Sequence, residues 1–87
     1  MKEAELYSVI FKKWGVNKQL EMLQEECAEL IVAVSKMKRN KPDAATNFIE
    51  ELADVQNMVN QFSRLYPSFE AVRKKKLAQV AKLLEEL

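Results

Sequence analysis

The sequence predicts an all-α fold, and three observations carry that expectation. There is one glycine and there are two prolines among 87 residues, too few turn formers for a many-stranded protein. Apolar residues recur at alternating steps of three and four, the period of an amphipathic helix rather than a strand. Helix-breaking residues stand at only three places, Gly15, Asn40-Lys41-Pro42 and Pro67, and divide the chain into four helical stretches. No repeat, low-complexity tract or long linker divides it further, so residues 1–87 read as one domain.

The first helix is expected from about Lys2 to Lys13, stopping near Trp14-Gly15, where glycine can act as a helix terminator. Asn17 is the expected N-cap of the second, Lys18 to Arg39, because its side chain can accept from unpaired N–H groups of the first turn. That helix ends at Asn40-Lys41-Pro42. The third begins between Pro42 and Asn47 and ends near Leu65, since Pro67 disfavours helical geometry at Tyr66. Pro67-Ser68 opens a last helix reaching almost to Leu87.

Leu20, Leu23, Cys27, Leu30, Val34 and Met37 trace an apolar seam on the second helix. Phe48, Leu52, Val55, Val59, Phe62 and Tyr66 trace another on the third, as in an antiparallel pair. The expected protomer is four-helix bundle-like. A second apolar set, Ile31, Val32, Ile49 and Ala53, falls outside both seams and calls for cover from the fourth helix or another subunit. A chain this short scarcely builds a self-sufficient core, so a helical homo-dimer or homo-tetramer is expected.

The 14 basic and 13 acidic residues nearly cancel, which argues against nucleic acid or a membrane surface as partner. The run Arg73-Lys74-Lys75-Lys76 is the only contrary sign. No apolar stretch approaches the roughly 18 residues of a membrane span, and Met1-Lys2-Glu3 does not begin a signal peptide. A single cysteine, Cys27, fits a reducing cytoplasmic setting and reads as a small seam hydrophobe. The absence of histidine excludes Cys/His zinc sites, Ser-His-Asp and Cys-His triads and Glu-x-x-His di-iron bundles. With one glycine there is no glycine-rich phosphate loop. Metal chemistry here has to use oxygen ligands.

Those oxygens come in two clusters, Glu25-Glu26-Cys27-Ala28-Glu29 and Glu51-Leu52-Ala53-Asp54. Glu26/Glu29 and Glu51/Asp54 are each three apart, one turn of one helix face. All four border the expected seams, where opposed helices could bring them to a point, whereas Glu25 and Glu50 point further away. Unneutralised, each like-charged pair at ~4 Å costs roughly 1–4 kcal/mol depending on local dielectric. A hard divalent cation, Mg²⁺ or Mn²⁺, removes that repulsion. The alternative is a solvated face laced with ion pairs, but no basic residue at 25, 26, 32 or 33 neutralises the cluster.

With these residues the chain resembles the MazG-like group of all-α nucleoside triphosphate pyrophosphohydrolases, whose signature is EExxE, a spacer and ExxD. Here that is Glu25-Glu26-x-x-Glu29, 21 residues, then Glu51-x-x-Asp54. Trp14-Gly15, Gln19 and the Lys/Arg-rich end of the second helix extend the similarity over roughly Trp14 to Leu65. The resemblance implies Mg²⁺-dependent hydrolysis between the α and β phosphates of a nucleoside triphosphate substrate, releasing a monophosphate and pyrophosphate. Related enzymes cleave dUTP, dCTP or phosphoribosyl-ATP. It further implies metal ligation by Glu26, Glu29, Glu51 and Asp54, a water-holding role for Glu25, and assembly into helical dimers or tetramers.

Three further residues have two readings each. Trp14 either stacks on a nucleotide base or packs over the bundle end. Lys36, with Lys38, Arg39 and Lys41, either complements the helix dipole or contacts phosphate. Lys76 lies on the apolar stripe Phe69, Val72, Val80, Leu83 and Leu87. It either snorkels to water or directs a cation into an anionic pocket; similar enzymes carry a lysine in this helix. The competing function class is a catalytically silent helical oligomer that keeps the fold.

Overall fold

The computed structural model describes residues 1–87 as four α-helices with no strand. α1 spans Glu3–Trp14, α2 Val16–Lys38, α3 Ala44–Ser63 and α4 Phe69–Glu85. The breaks fall at the expected residues, but α2 starts earlier than Lys18, so Asn17 lies inside the helix and does not cap it. Gly15 ends α1 and starts α2 at once. Its backbone, at φ 82° and ψ 162°, occupies a region essentially reserved for glycine. Its N–H donates to the Phe11 carbonyl at 2.9 Å and its carbonyl accepts from the Gln19 N–H at 3.2 Å. One residue thereby serves both helix ends, and none of the four helices has a side-chain cap.

α2 closes with Asn40 in the left-handed region, φ 53°. The Lys41 N–H reaches back to the Lys36 carbonyl and the Asn40 N–H to that of Met37, both at 3.1 Å. This is a Schellman closure, with asparagine where glycine is commoner. Asp43, at φ 61°, then turns the chain into α3.

α2 and α3 form an antiparallel hairpin whose register is read from three facing pairs. Gln61 Nε2 donates to Gln19 Oε1 at 2.9 Å. Glu26 meets Asp54, and Glu29 meets Glu51. Stepping up α2 from Gln19 by three and four residues in turn gives Met22, Glu26, Glu29 and Ala33. The matching steps down α3 from Gln61 give Met58, Asp54, Glu51 and Asn47. The period is the expected one, but the buried face lies one residue round from the greasiest stripe. Of the expected seams Phe62 is buried and Leu23, Leu30, Phe48, Val55 and Val59 half-buried, whereas Leu20, Cys27, Val34, Met37, Leu52 and Tyr66 are exposed. Small residues stand on the buried face. Ala33 is fully buried and Ala44 nearly so, and residues this small would let two helix backbones approach closely along that stripe.

α1 lies against this hairpin. Tyr7 is buried, and Phe11 meets Phe62 edge to face with ring centroids 5.4 Å apart, a favoured aromatic geometry. α4 does not complete a bundle. None of its residues is buried, and beyond Phe69 all are exposed. The bundle-like protomer expected from sequence is therefore an α1–α3 body with a projecting helix. Its radius of gyration is 16.1 Å, against about 12 Å for a compact chain of this length. The set Ile31, Val32, Ile49 and Ala53 gains no cover from α4 and stays exposed. No helix is long and apolar enough to cross a membrane.

Candidate metal centre

The antiparallel register turns two sequence pairs into one cluster. Glu26 and Glu29 are one turn apart on α2, Glu51 and Asp54 one turn apart on α3, and the hairpin opposes them crosswise. One carboxylate oxygen from each of the four lies within 4.8 Å of the other three. Glu26 and Glu51 are half-buried, while Glu29 and Asp54 are exposed. The buried-face phase described above thus sets Glu26 and Glu51 inside the helix interface, deeper than the border position expected for them.

The electrostatics are those of an unneutralised site. Burial, then Asp54 and Glu29, raises the Glu26 carboxyl from its ordinary value of 4.5 to about 7. Burial first, and Glu29 next, also raises Glu51. Glu26 Oε2 and Glu51 Oε2 are sealed from solvent and have no hydrogen-bond partner, an arrangement that costs free energy unless something else satisfies them. No cation of the chain does so. The two ion pairs, Lys18–Glu21 and Arg73–Glu70, lie elsewhere. Four hard oxygens suit Mg²⁺ or Mn²⁺. Ligands on a Mg²⁺ octahedron stand about 3.0 Å apart when adjacent and about 4.2 Å when opposite, so oxygens within 4.8 Å of one another would have to draw together to share one ion.

Glu26 and Asp54 also line a cavity of about 500 Å³. Leu6, Ile10 and Trp14 of α1 form one apolar wall and Met22 and Met58 of the hairpin another. Gln19, Asn57 and Gln61 supply amides, and Lys18 the only cation. Tyr7 lines it as well, its hydroxyl donating to Glu3 at 2.6 Å; that bond first and burial second raise the phenol above its ordinary value.

Of the other residues singled out in the sequence, Trp14 joins this cavity and is 55% exposed. Glu25 is exposed and outside both the four-oxygen group and the cavity. Lys36 is half-buried on α2, forms no ion pair and does not line the cavity. Lys76 projects with α4, exposed, and within one chain it is not brought to the carboxylates. Sequence reasoning passed over Gln61, Asn57, Met58 and Lys18, and treated Gln19 only as part of a resemblance. A signal was present: Gln19 and Gln61 each stand seven residues from a cluster carboxylate, Glu26 and Asp54, hence on the same helix faces.

No family model, curated protein or solved structure matches the chain. The chemistry of the site therefore rests on its own residues.

Proposed function

We propose that the chain is a MazG-like nucleoside triphosphate pyrophosphohydrolase that requires Mg²⁺, with Mn²⁺ as a substitute. The observation that carries this reading is the junction of a four-carboxylate cluster, two of its oxygens buried and unpartnered, with a nucleotide-sized cavity. Glu26 and Asp54 belong to both. A ligand whose base enters the apolar end therefore presents its phosphates to the carboxylates. Alone, that meeting is repulsive. A bound divalent ion would supply positive charge between protein and phosphate oxygens and acidify a coordinated water.

Glu26, Glu29, Glu51 and Asp54 would hold the ion. Glu25, one residue round from the cluster, is assigned to orient the attacking water and take its proton. The water oxygen bonds to the α-phosphorus, the α–β bridging bond breaks, and pyrophosphate leaves with the bonding pair. Such in-line displacement asks for positioning and charge stabilisation rather than a covalent intermediate, which suits a site without histidine. Trp14 is assigned to base stacking, and Lys36 and Lys76 to phosphate contacts, Lys76 by way of a second subunit.

The proposal includes a homo-dimer or homo-tetramer. The accessible surface is 7061 Å², whereas a compact monomer of this mass exposes about 5,300 Å². Covering the excess in a pair would bury about 3,500 Å² in total, an obligate-interface scale. Ile31, Ile49 and Leu84, at 70%, 65% and 65% exposed, offer the apolar surface.

The test is product analysis after incubation with a panel of ribo- and deoxyribonucleoside triphosphates. Monophosphate and pyrophosphate should form with Mg²⁺ or Mn²⁺ and not with EDTA. Orthophosphate release, or turnover indifferent to EDTA, overturns the assignment. Metal binding without turnover on any nucleotide would favour the silent oligomer, a reading that the unpartnered apolar faces support on their own.

A further inference from the structure

The cavity floor carries a feature that the hydrolysis reading leaves unused. Gln19 and Gln61 are 6% and 3% exposed, deeply buried for two primary amides, and they are bonded to each other through only one of the two hydrogen bonds such a pair can form. The remaining ends, Gln19 Nε2 and Gln61 Oε1, have no partner in the chain. Neither is sealed off, and both residues line the cavity beside Glu26 and Asp54. The pair therefore shows the cavity one donor and one acceptor, on a floor otherwise flanked by Met22 and Met58.

We propose that the Gln19–Gln61 pair reads the hydrogen-bonding edge of a nucleobase and, by turning over both amides together, accepts amino and keto bases alike. The inference rests on the nucleotide reading of the site. Every natural base presents an adjacent donor and acceptor: an amino group beside a ring nitrogen in cytosine, a carbonyl beside a ring N–H in uracil. The order of the two differs. A primary amide has similar outlines in its two orientations. When both amides turn over, Gln19 Nε2 donates to Gln61 Oε1 in place of the reverse, and the outward donor and acceptor exchange places. The mutual bond survives, so both edges are met by the same floor. A rigid buried donor would instead leave one group unpaired against the wrong base, which is how strong base selection arises.

The substrate class that follows is nucleotides without amino/keto discrimination. Cytosine and uracil nucleotides test it best, because they match in shape and differ at this edge. A carboxylate in place of either amide removes the exchange: the floor then offers two acceptors, matched by the ring N–H and amino group of guanine and by neither pyrimidine.

The experiment is calorimetric binding of dCMP, dUMP, dGMP and base-free deoxyribose 5-phosphate, with Mg²⁺ present, to wild type, Gln61→Glu and Gln19→Glu. In wild type, dCMP and dUMP should bind within about threefold of each other and at least tenfold tighter than the base-free sugar phosphate. In either variant the preference for dGMP over dCMP should rise at least tenfold. The two substitutions sit on different helices, so one of them suffices if the other prevents folding, and a gain for dGMP is not what a merely weakened fold gives. Equal binding of dCMP and the base-free compound, strong cytosine–uracil selection in wild type, or an unchanged dGMP/dCMP ratio in a folded variant each overturns the proposal. Monophosphates contain no α–β bond. A protein that binds them in this pattern and hydrolyses nothing keeps the base-reading floor and loses the hydrolase assignment. Hydrolysis with unaltered base preference in the variants does the reverse.

Discussion

Glu26 is the residue whose surroundings have the clearest measurable result. Its folded value of about 7 stands above the ordinary 4.5, so between those pH values the folded chain keeps a proton that the unfolded chain has released. Stability of the metal-free protein should therefore fall as pH rises through that window and level off above it. Chemical denaturation in EDTA at pH 5, 6, 7 and 8 measures the slope, and Glu26→Gln should flatten it. A wild-type slope of the opposite sign would contradict the carboxylate crowding. Asp54→Ala and Glu29→Ala should abolish nucleotide turnover while raising metal-free stability by on the order of 1 kcal/mol through relieved repulsion; wild-type turnover in either ends the ligand assignment. The four carboxylates were legible in sequence because a three-residue spacing fixes a helix face whatever the partner. The amides at Gln19 and Gln61 were not, since a lone glutamine in a helix has no chemical signature until its opposite number is known.

At the level of elements, the sequence announced where helices stop better than how they face. Gly15, Pro42 and Pro67 act locally, through φ, missing donors and steric clash, and need no tertiary information. The facing of α2 and α3 depends on which stripe can approach closest. Ala33 and Ala44 are buried on the facing stripe, while Leu20, Cys27 and Val34 of the more apolar one are exposed. Asn17 failed as a cap for a related reason, because Gly15 had already joined the two helices. Gly15→Ala meets no atom at its Cβ position but forces a side chain onto φ 82°. It should cost about 1–3 kcal/mol by denaturant titration; a neutral effect would show that α1 re-angles freely. Lys76 separates two accounts of α4. Lys76→Met keeps the stem and removes the charge, and should lower kcat/KM about tenfold or more while Lys74→Met changes little. Equal behaviour of the two variants makes Lys76 a solvated residue.

The whole molecule is an α1–α3 body with an uncovered face and one projecting arm. Sedimentation at micromolar concentration should find a dimer or tetramer; a stable 10.1 kDa monomer would contradict the excess apolar surface. The expectation of assembly comes from chain length and the second apolar set, Ile31, Val32, Ile49 and Ala53, which stays exposed. The detachment of α4 was not foreseeable, because its stripe is as regular as those of its neighbours and only the absence of a receiving groove within the chain distinguishes it. α4, 17 residues with none buried, has little of the tertiary packing from which most helices draw their stability. If it meets a second copy, folding and association are one equilibrium governed by mass action: heat resistance becomes a property of the solution as much as of the chain. Each tenfold dilution should lower the thermal midpoint, and removal of residues 69–87 should weaken that dependence on concentration, leaving what the exposed Ile31 and Ile49 face contributes.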